Sequence, residues 1–153
     1  MVRIALILPE TKYMIRISKL ADYAVVILAE MARDPAVLSA TAIASATTLP
    51  ETTVAKVLKS LAQGNLLTAT RGAAGGYAIT KSAAQITVRE IIETMDGPVG
   101  IVDCTEESRA DCQLHDNCKT KTNWSLVNDR IRGVLSDLTL AHMMQQTKNC
   151  EAA

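Results

Sequence analysis

The run LPETTVAKVLKSLAQG (49–64) passes, across Asn65, straight into LLTATRGAAGGYAIT (66–80), and this junction constrains the fold more than any other feature. In the first run, Val54, Val57, Leu58 and Leu61 recur at helical spacing and make one apolar face. Thr48 and Glu51 predict a capping box, with Pro50 in the first turn, where no backbone donor is needed. Gly64 is a suitable C-terminal stop. In the second run, two short strand-like pieces, Leu66–Thr70 and Tyr77–Thr80, flank a glycine-rich loop, which predicts a β-hairpin.

What precedes and follows narrows the choice. Ser18 predicts the cap of a helix whose apolar residues Leu20, Ala24, Ile27 and Met31 are spaced 4, 3 and 4, and which stops near Arg33, before Pro35. A short helix is expected over about Ser39 to Ala46. Three helices and a hairpin, with a tight turn between the second and third helix, follow the winged helix-turn-helix order, whose third helix enters the DNA major groove. Downstream, Thr87 and Glu90 predict a second capping box, opening a helix with Val88, Ile91, Ile92 and Met95 inward and ended by Asp96–Gly97–Pro98. Further on, Trp124, Val127, Ile131, Val134, Leu138 and Ala141 are spaced 3, 4, 3, 4 and 3, the alternation of a coiled-coil seam, with Ser125, Asp129, Arg130 and Arg132 off the seam. That stripe is longer than the small N-terminal domain covers, so it predicts a dimerisation helix, with Thr139 as the point where it breaks.

The expected class is therefore mainly α with a small β-hairpin wing. A disordered extension (1–13) is expected ahead of a winged domain (14–82), with Met14 as a second candidate start. A linking helix and cysteine loop (83–121), a dimerisation helix (122–145) and a tail (146–153) containing Cys150 complete the division.

Net charge is zero, from 16 basic and 16 acidic residues, but the two signs are segregated. Thr52 to Arg89 holds no carboxylate and five cations, Lys56, Lys59, Arg71, Lys81 and Arg89. Glu90 to Thr120 holds eight carboxylates against Arg109 and Lys119. The basic block coincides with the third helix and the wing. The apolar face of that helix leaves Thr52, Thr53, Lys56, Lys59, Ser60 and Gln63 outward, groups that hydrogen-bond base edges or neutralise phosphates. Arg71 stands at the shoulder of the wing, and Gly72, Gly75 and Gly76 let a backbone approach DNA closely. Double-stranded DNA is the expected partner; a protein-interaction domain of the same shape is the alternative.

No apolar run approaches the roughly 20 residues that span a bilayer, and the N-terminal IALIL is too short for a signal peptide. A cytoplasmic location is expected, where thiols stay reduced. Two histidines and no base beside a cysteine argue against an enzyme or a small-molecule substrate.

Three of the four cysteines form the pattern Cys104-x7-Cys112-x5-Cys118. Structural zinc favours closer C-x2-4-C pairs, whereas wide spacing suits an iron–sulfur cluster bound through thiolates. Three thiols leave one position, for His115, an acidic neighbour or a residue from elsewhere, including a partner subunit. A thiol–disulfide switch and a zinc-stabilised interaction module are the competing readings. Thiolates among carboxylates repel one another, and bound iron would offset that charge. Order–disorder of this loop, between a DNA-binding domain and a dimer helix, is the expected switch.

The segments ISKLADYAV (17–25), LPETTVAKVLKSLAQGNLL (49–67), RGAAGGY (71–77), VREIIETMDGP (88–98) and the three cysteines followed by NW (123–124) resemble the bacterial iron–sulfur-cluster-sensing winged-helix regulators of the IscR and NsrR type. Within these, the likeness is greatest to regulators of the SUF cluster-assembly system. The resemblance spans about residues 14 to 145. It implies a homodimer on a palindromic promoter site, acting as a repressor. It also implies a 2Fe–2S or 4Fe–4S cluster held by Cys104, Cys112 and Cys118. IscR-type members carry a histidine three residues after the last cysteine; here that place holds Lys121. NsrR-type members use an aspartate near the start of the first helix of the other subunit, a place that Asp22 occupies. Asp22 from the partner subunit is thus the first candidate for the fourth ligand and His115 the second. A nitric-oxide-sensing regulator of the same architecture is the alternative function within the family.

Overall fold

The structure, a computed structural model, describes residues 16–34, 36–72, 75–101 and 118–146. The elements are α1 (Lys19–Arg33), α2 (Ala40–Thr47), α3 (Glu51–Gln63), β1 (Leu67–Thr70), β2 (Gly76–Ile79), α4 (Val88–Asp96), α5 (Lys121–Asp137) and α6 (Leu140–Gln146). This is the winged helix-turn-helix order that the sequence predicts, with every element within a residue or two of its expected bounds until α5.

Local chemistry sets most of the boundaries. Ser18 caps α1, its hydroxyl accepting from the Ala21 N–H, and Ser39 caps α2 through the Ala42 N–H, both at 3.1 Å. The capping box on α4 is complete. The Glu90 N–H donates to the Thr87 hydroxyl at 3.1 Å, and the Thr87 N–H donates to the Glu90 carboxylate at 3.0 Å. The predicted box on α3 does not form. Thr48 adopts the left-handed region (φ 57°), and its hydroxyl donates to the Thr47 carbonyl. Pro50 takes the N-cap position, and the Glu51 carboxylate accepts from the Thr41 hydroxyl of α2 at 2.7 Å. Glu51 thus ties the two helices of the turn together instead of closing on its own helix.

At the other end of α3, the left-handed position belongs to Asn65 (φ 60°), one residue past Gly64. The Leu66 N–H donates to the Leu61 carbonyl and the Asn65 N–H to the Ala62 carbonyl, at 3.0 and 3.2 Å, the paired bonds of a Schellman stop. Gly64 serves packing: a Cβ there would collide with the Thr94 side chain of α4.

The wing pairs β1 with β2 antiparallel, Leu67 opposite Ile79 and Thr70 opposite Gly76. Leu38 adds a third, single-residue rung. Its N–H donates to the Tyr77 carbonyl at 3.0 Å, and the Tyr77 N–H donates back at 2.8 Å.

One core joins these pieces. Ile27, Leu28 and Met31 of α1, Ile43 of α2, Val54, Val57, Leu58 and Leu61 of α3, Ile86, Ile91 of α4 and Leu140 of α6 are all buried in it. Full burial of a side chain of this size contributes about 1.5–3 kcal/mol. The winged unit is therefore closed by α4 and by the last helix, which returns to pack on α1.

The predicted seam breaks for this reason. α5 ends at Asp137, and Leu138 is extended. The Val88 N–H donates to the Leu138 carbonyl and the Leu140 N–H to the Ile86 carbonyl, both at 2.8 Å, with Thr87 facing Thr139. Leu140, off the predicted stripe, is the residue that enters the core, and the break expected at Thr139 divides the stretch 122–145 into two helices. Among the described residues, no helix is long and apolar enough to cross a membrane.

Candidate nucleic-acid interface

The polar face of α3 is built by default. Val54, Val57, Leu58 and Leu61 are fully buried, so the opposite side carries Thr52, Lys56, Lys59 and Gln63, all exposed, with Thr53 and Ser60 half-exposed at its edge. Arg71 and Gly72 are exposed at the end of β1, so the arginine belongs to the wing as the sequence predicts.

Electrostatics sharpen this surface. Of the five cations in the carboxylate-free block, two are spoken for. Lys81 pairs with Glu90 at 2.7 Å, and Arg89 pairs with Glu93 at 2.9 Å. Burial pushes the Glu90 carboxyl up, but the Lys81 and Thr87 hydrogen bonds and the Lys81 charge together hold it below its ordinary value. Lys56, Lys59 and Arg71 have no carboxylate within ion-pair distance among the described residues. The three uncompensated cations are those of α3 and the wing, an arrangement suited to a polyanion.

The glycines of the wing have local duties. A Cβ on Gly76 would sit 2.5 Å from the Leu38 carbonyl oxygen, so that rung needs glycine. A Cβ on Gly75 would meet the carbonyls of Thr70 and Gly72 within the turn. Close approach of backbone to backbone accounts for both residues within the chain itself.

Of the expected cluster ligands, Cys104, Cys112 and His115 lie outside the described residues. Cys118 is half-buried, its Sγ 3.4 Å from the Thr120 hydroxyl, just ahead of the N-terminus of α5. The positive end of a helix suits a thiolate donor. Asp22 is exposed in the first turn of α1. No group of three or more potential metal ligands comes together among the described residues.

Two further side chains went unread in the sequence. First, Leu126 (58 %) joins the expected seam residues Val127 (42 %) and Val134 (59 %) along a shallow groove with Arg130, Ile131 and Leu135. Leu126 was missed because it falls outside the seam periodicity. Second, Asn128, 2 % exposed, is the buried polar side chain among the described residues, and it accepts from the Ile101 N–H at 3.3 Å. One turn on, Arg132 donates to the Val99 carbonyl at 2.8 Å. Polar residues four apart on one flank of an otherwise apolar-striped helix were the available signal.

Comparison with known proteins follows the same lines. The sequence profile of the Rrf2 family, described as an iron-dependent transcriptional regulator, matches residues 17–146. The HTH-type transcriptional regulator IscR of Cronobacter sakazakii is 33% identical over 89 residues, 58% of this chain and 54% of that protein. The corresponding regulator of Photorhabdus laumondii is 32% identical over 98 residues, 64% of this chain and 58% of that one. The chain thus aligns with little more than half the length of these relatives. Among solved structures, CymR, the global cysteine regulator of B. subtilis, superposes with a TM-score of 0.64 at 25% identity, covering 86% of this chain and 98% of that one. IscR of T. potens superposes with a TM-score of 0.62 at 25% identity, covering 91% and 93%.

Proposed function

Since the chain belongs to the Rrf2 family of iron-dependent transcriptional regulators, we propose that it is a DNA-binding repressor whose operator affinity is set by an iron–sulfur cluster. The observation that carries the DNA half of this reading is that Lys56, Lys59 and Arg71, on the outward face of α3 and on the wing, are the cations of the basic block left without an ion pair among the described residues. Thr52 and Thr53, in the first turn of α3, are the residues placed to read base edges, and the lysines contact phosphate.

The cofactor half rests on the donor set. Cys104, Cys112 and Cys118 would hold the cluster, with Asp22 of a second copy, or His115, in the fourth place. When bound, the cluster supplies a redox-labile, oxygen-sensitive centre. Thiolate donors suit iron, and an oxygen donor in the fourth place would make it easier to lose, which fits a sensor. A second copy pairs along the α5 stripe, so two recognition helices address one palindromic site from the cytoplasm. The SUF cluster-assembly genes are the proposed target, on the resemblance of the sequence segments quoted above to their regulators.

Anaerobic purification with visible spectroscopy and iron and sulfide counts tests the cofactor; operator binding with and without cluster tests its role. Brown protein with salt-dependent, cluster-dependent DNA affinity is expected. Colourless zinc protein that ignores duplex DNA would overturn the proposal in favour of an interaction module.

A further inference from the structure

The three residues that close the described part of the chain before the cysteines are held from both sides. The Val99 N–H donates to the Glu93 carboxylate of α4 at 3.4 Å, and Arg89 steadies that carboxylate from its other neighbour at 2.9 Å. From α5, Arg132 Nε donates to the Val99 carbonyl at 2.8 Å, and Asn128 Oδ1 accepts from the Ile101 N–H at 3.3 Å. All three contacts are to backbone groups, so they fix position along the chain irrespective of the side chains there.

A nearly inaccessible Asn on a helix whose other flank is exposed and apolar is costly unless its hydrogen bonds are met. A single buried Asn of this kind sets register in other helical assemblies. Cys104 follows Ile101 by three residues, and Cys118, at the far end of the cysteine segment, immediately precedes α5. One helix therefore grips the chain where it enters that segment and receives it where it leaves.

Resting on the cluster reading above, we infer that Asn128 and Arg132 are positioning residues for the cluster ligands: they lock the register in which residues 99–101, the chain leading into the cysteine segment, lie between α4 and α5, the helix that follows Cys118. Because α4 also packs on the recognition helix, the same lock joins the ligand segment to the DNA-binding body.

The test uses the full chain as wild type, Asn128→Leu, Asn128→Asp and Arg132→Met, purified without oxygen. Two quantities are measured: amide hydrogen exchange at Val99–Ile101 in cluster-free protein, and the rate at which an iron chelator bleaches the visible absorbance. Asn128→Leu should stay folded by circular dichroism, exchange the Ile101 amide about tenfold faster than wild type, and lose its cluster about tenfold faster, the factor that one net hydrogen bond supplies. Asn128→Asp keeps the acceptor oxygen and should return both rates most of the way. Arg132→Met, which frees the Val99 carbonyl, should speed bleaching whether or not Asn128→Leu folds. Unchanged Ile101 exchange overturns the lock itself. Faster exchange with wild-type bleaching overturns the positioning role and reduces Asn128 to a structural residue. Wild-type protein without iron overturns the cluster reading and the positioning role with it, while the exchange data still report on the lock.

Discussion

α3 and α5 are both amphipathic helices, of 13 and 17 residues, yet their apolar faces meet opposite fates. The four apolar side chains of α3 are wholly covered by α1, α2, α4 and the hairpin, so this helix is complete within one chain and its polar side is free for a ligand. α5 turns its polar residues Asn128 and Arg132 inward and leaves Leu126, Val127 and Val134 outside. Apolar periodicity says that a face will be covered. Only packing says by what. On the proposed reading, the first helix meets DNA and the second meets another copy of itself.

The sharpest way to break that contrast is to injure each face in turn. Leu58→Ala, in the buried face of α3, should cost about 3 kcal/mol in urea denaturation, whatever the protein concentration. Val134→Asp should leave the monomer fold intact and raise the dimer dissociation constant about 100-fold in sedimentation equilibrium, near 2.7 kcal/mol. If Val134→Asp instead unfolded the chain, the stripe would belong to its own core. Lys56→Ala should weaken operator binding about tenfold, uniformly across sequences, and reduce the salt slope by about one in a titration against salt. Thr87→Ala removes the cap of α4 and should cost about 1 kcal/mol by thermal denaturation, with DNA contacts untouched.

The smallest effect is one of pH. The carboxyl of Glu90 is held below its ordinary value of 4.5 in the folded chain. The stability this contributes is therefore whole above that value and is lost as the pH falls through the lowered one. Lys81 and Glu90 are both well exposed, which keeps the contribution small. The difference in urea midpoint between wild type and Glu90→Gln should shrink steadily on acidification from about pH 6 to about pH 3.

Much of the fold was legible because it rests on short-range chemistry. Ser18, Ser39 and Thr87 cap helices where a hydroxyl precedes an apolar period, and the hairpin follows from two β-prone runs around glycine. The misses lie where tertiary contacts outweigh local preference. Thr48 and Glu51 have the spacing of a capping box, but the tight turn demands a left-handed residue at Thr48, and Thr41 of another helix claims the carboxylate. Leu138 fits the seam, but the main-chain bonds from Val88 to Leu138 and from Leu140 to Ile86 pull it out of helix. At the candidate interface, the outward residues of α3 were legible from its apolar period, but the pairing of two of the five cations of the basic block was not. That pairing depends on Glu90 and Glu93, which follow the block in sequence and fold back beside it.

Selection of binding sites from a pool of random DNA duplexes tests both helices at once. The account predicts enrichment of two-fold symmetric sequences, with half-sites about one helical turn apart, and loss of that enrichment with Val134→Asp. No enrichment at all, or recovery of single asymmetric sites that Val134→Asp binds equally well, would contradict it.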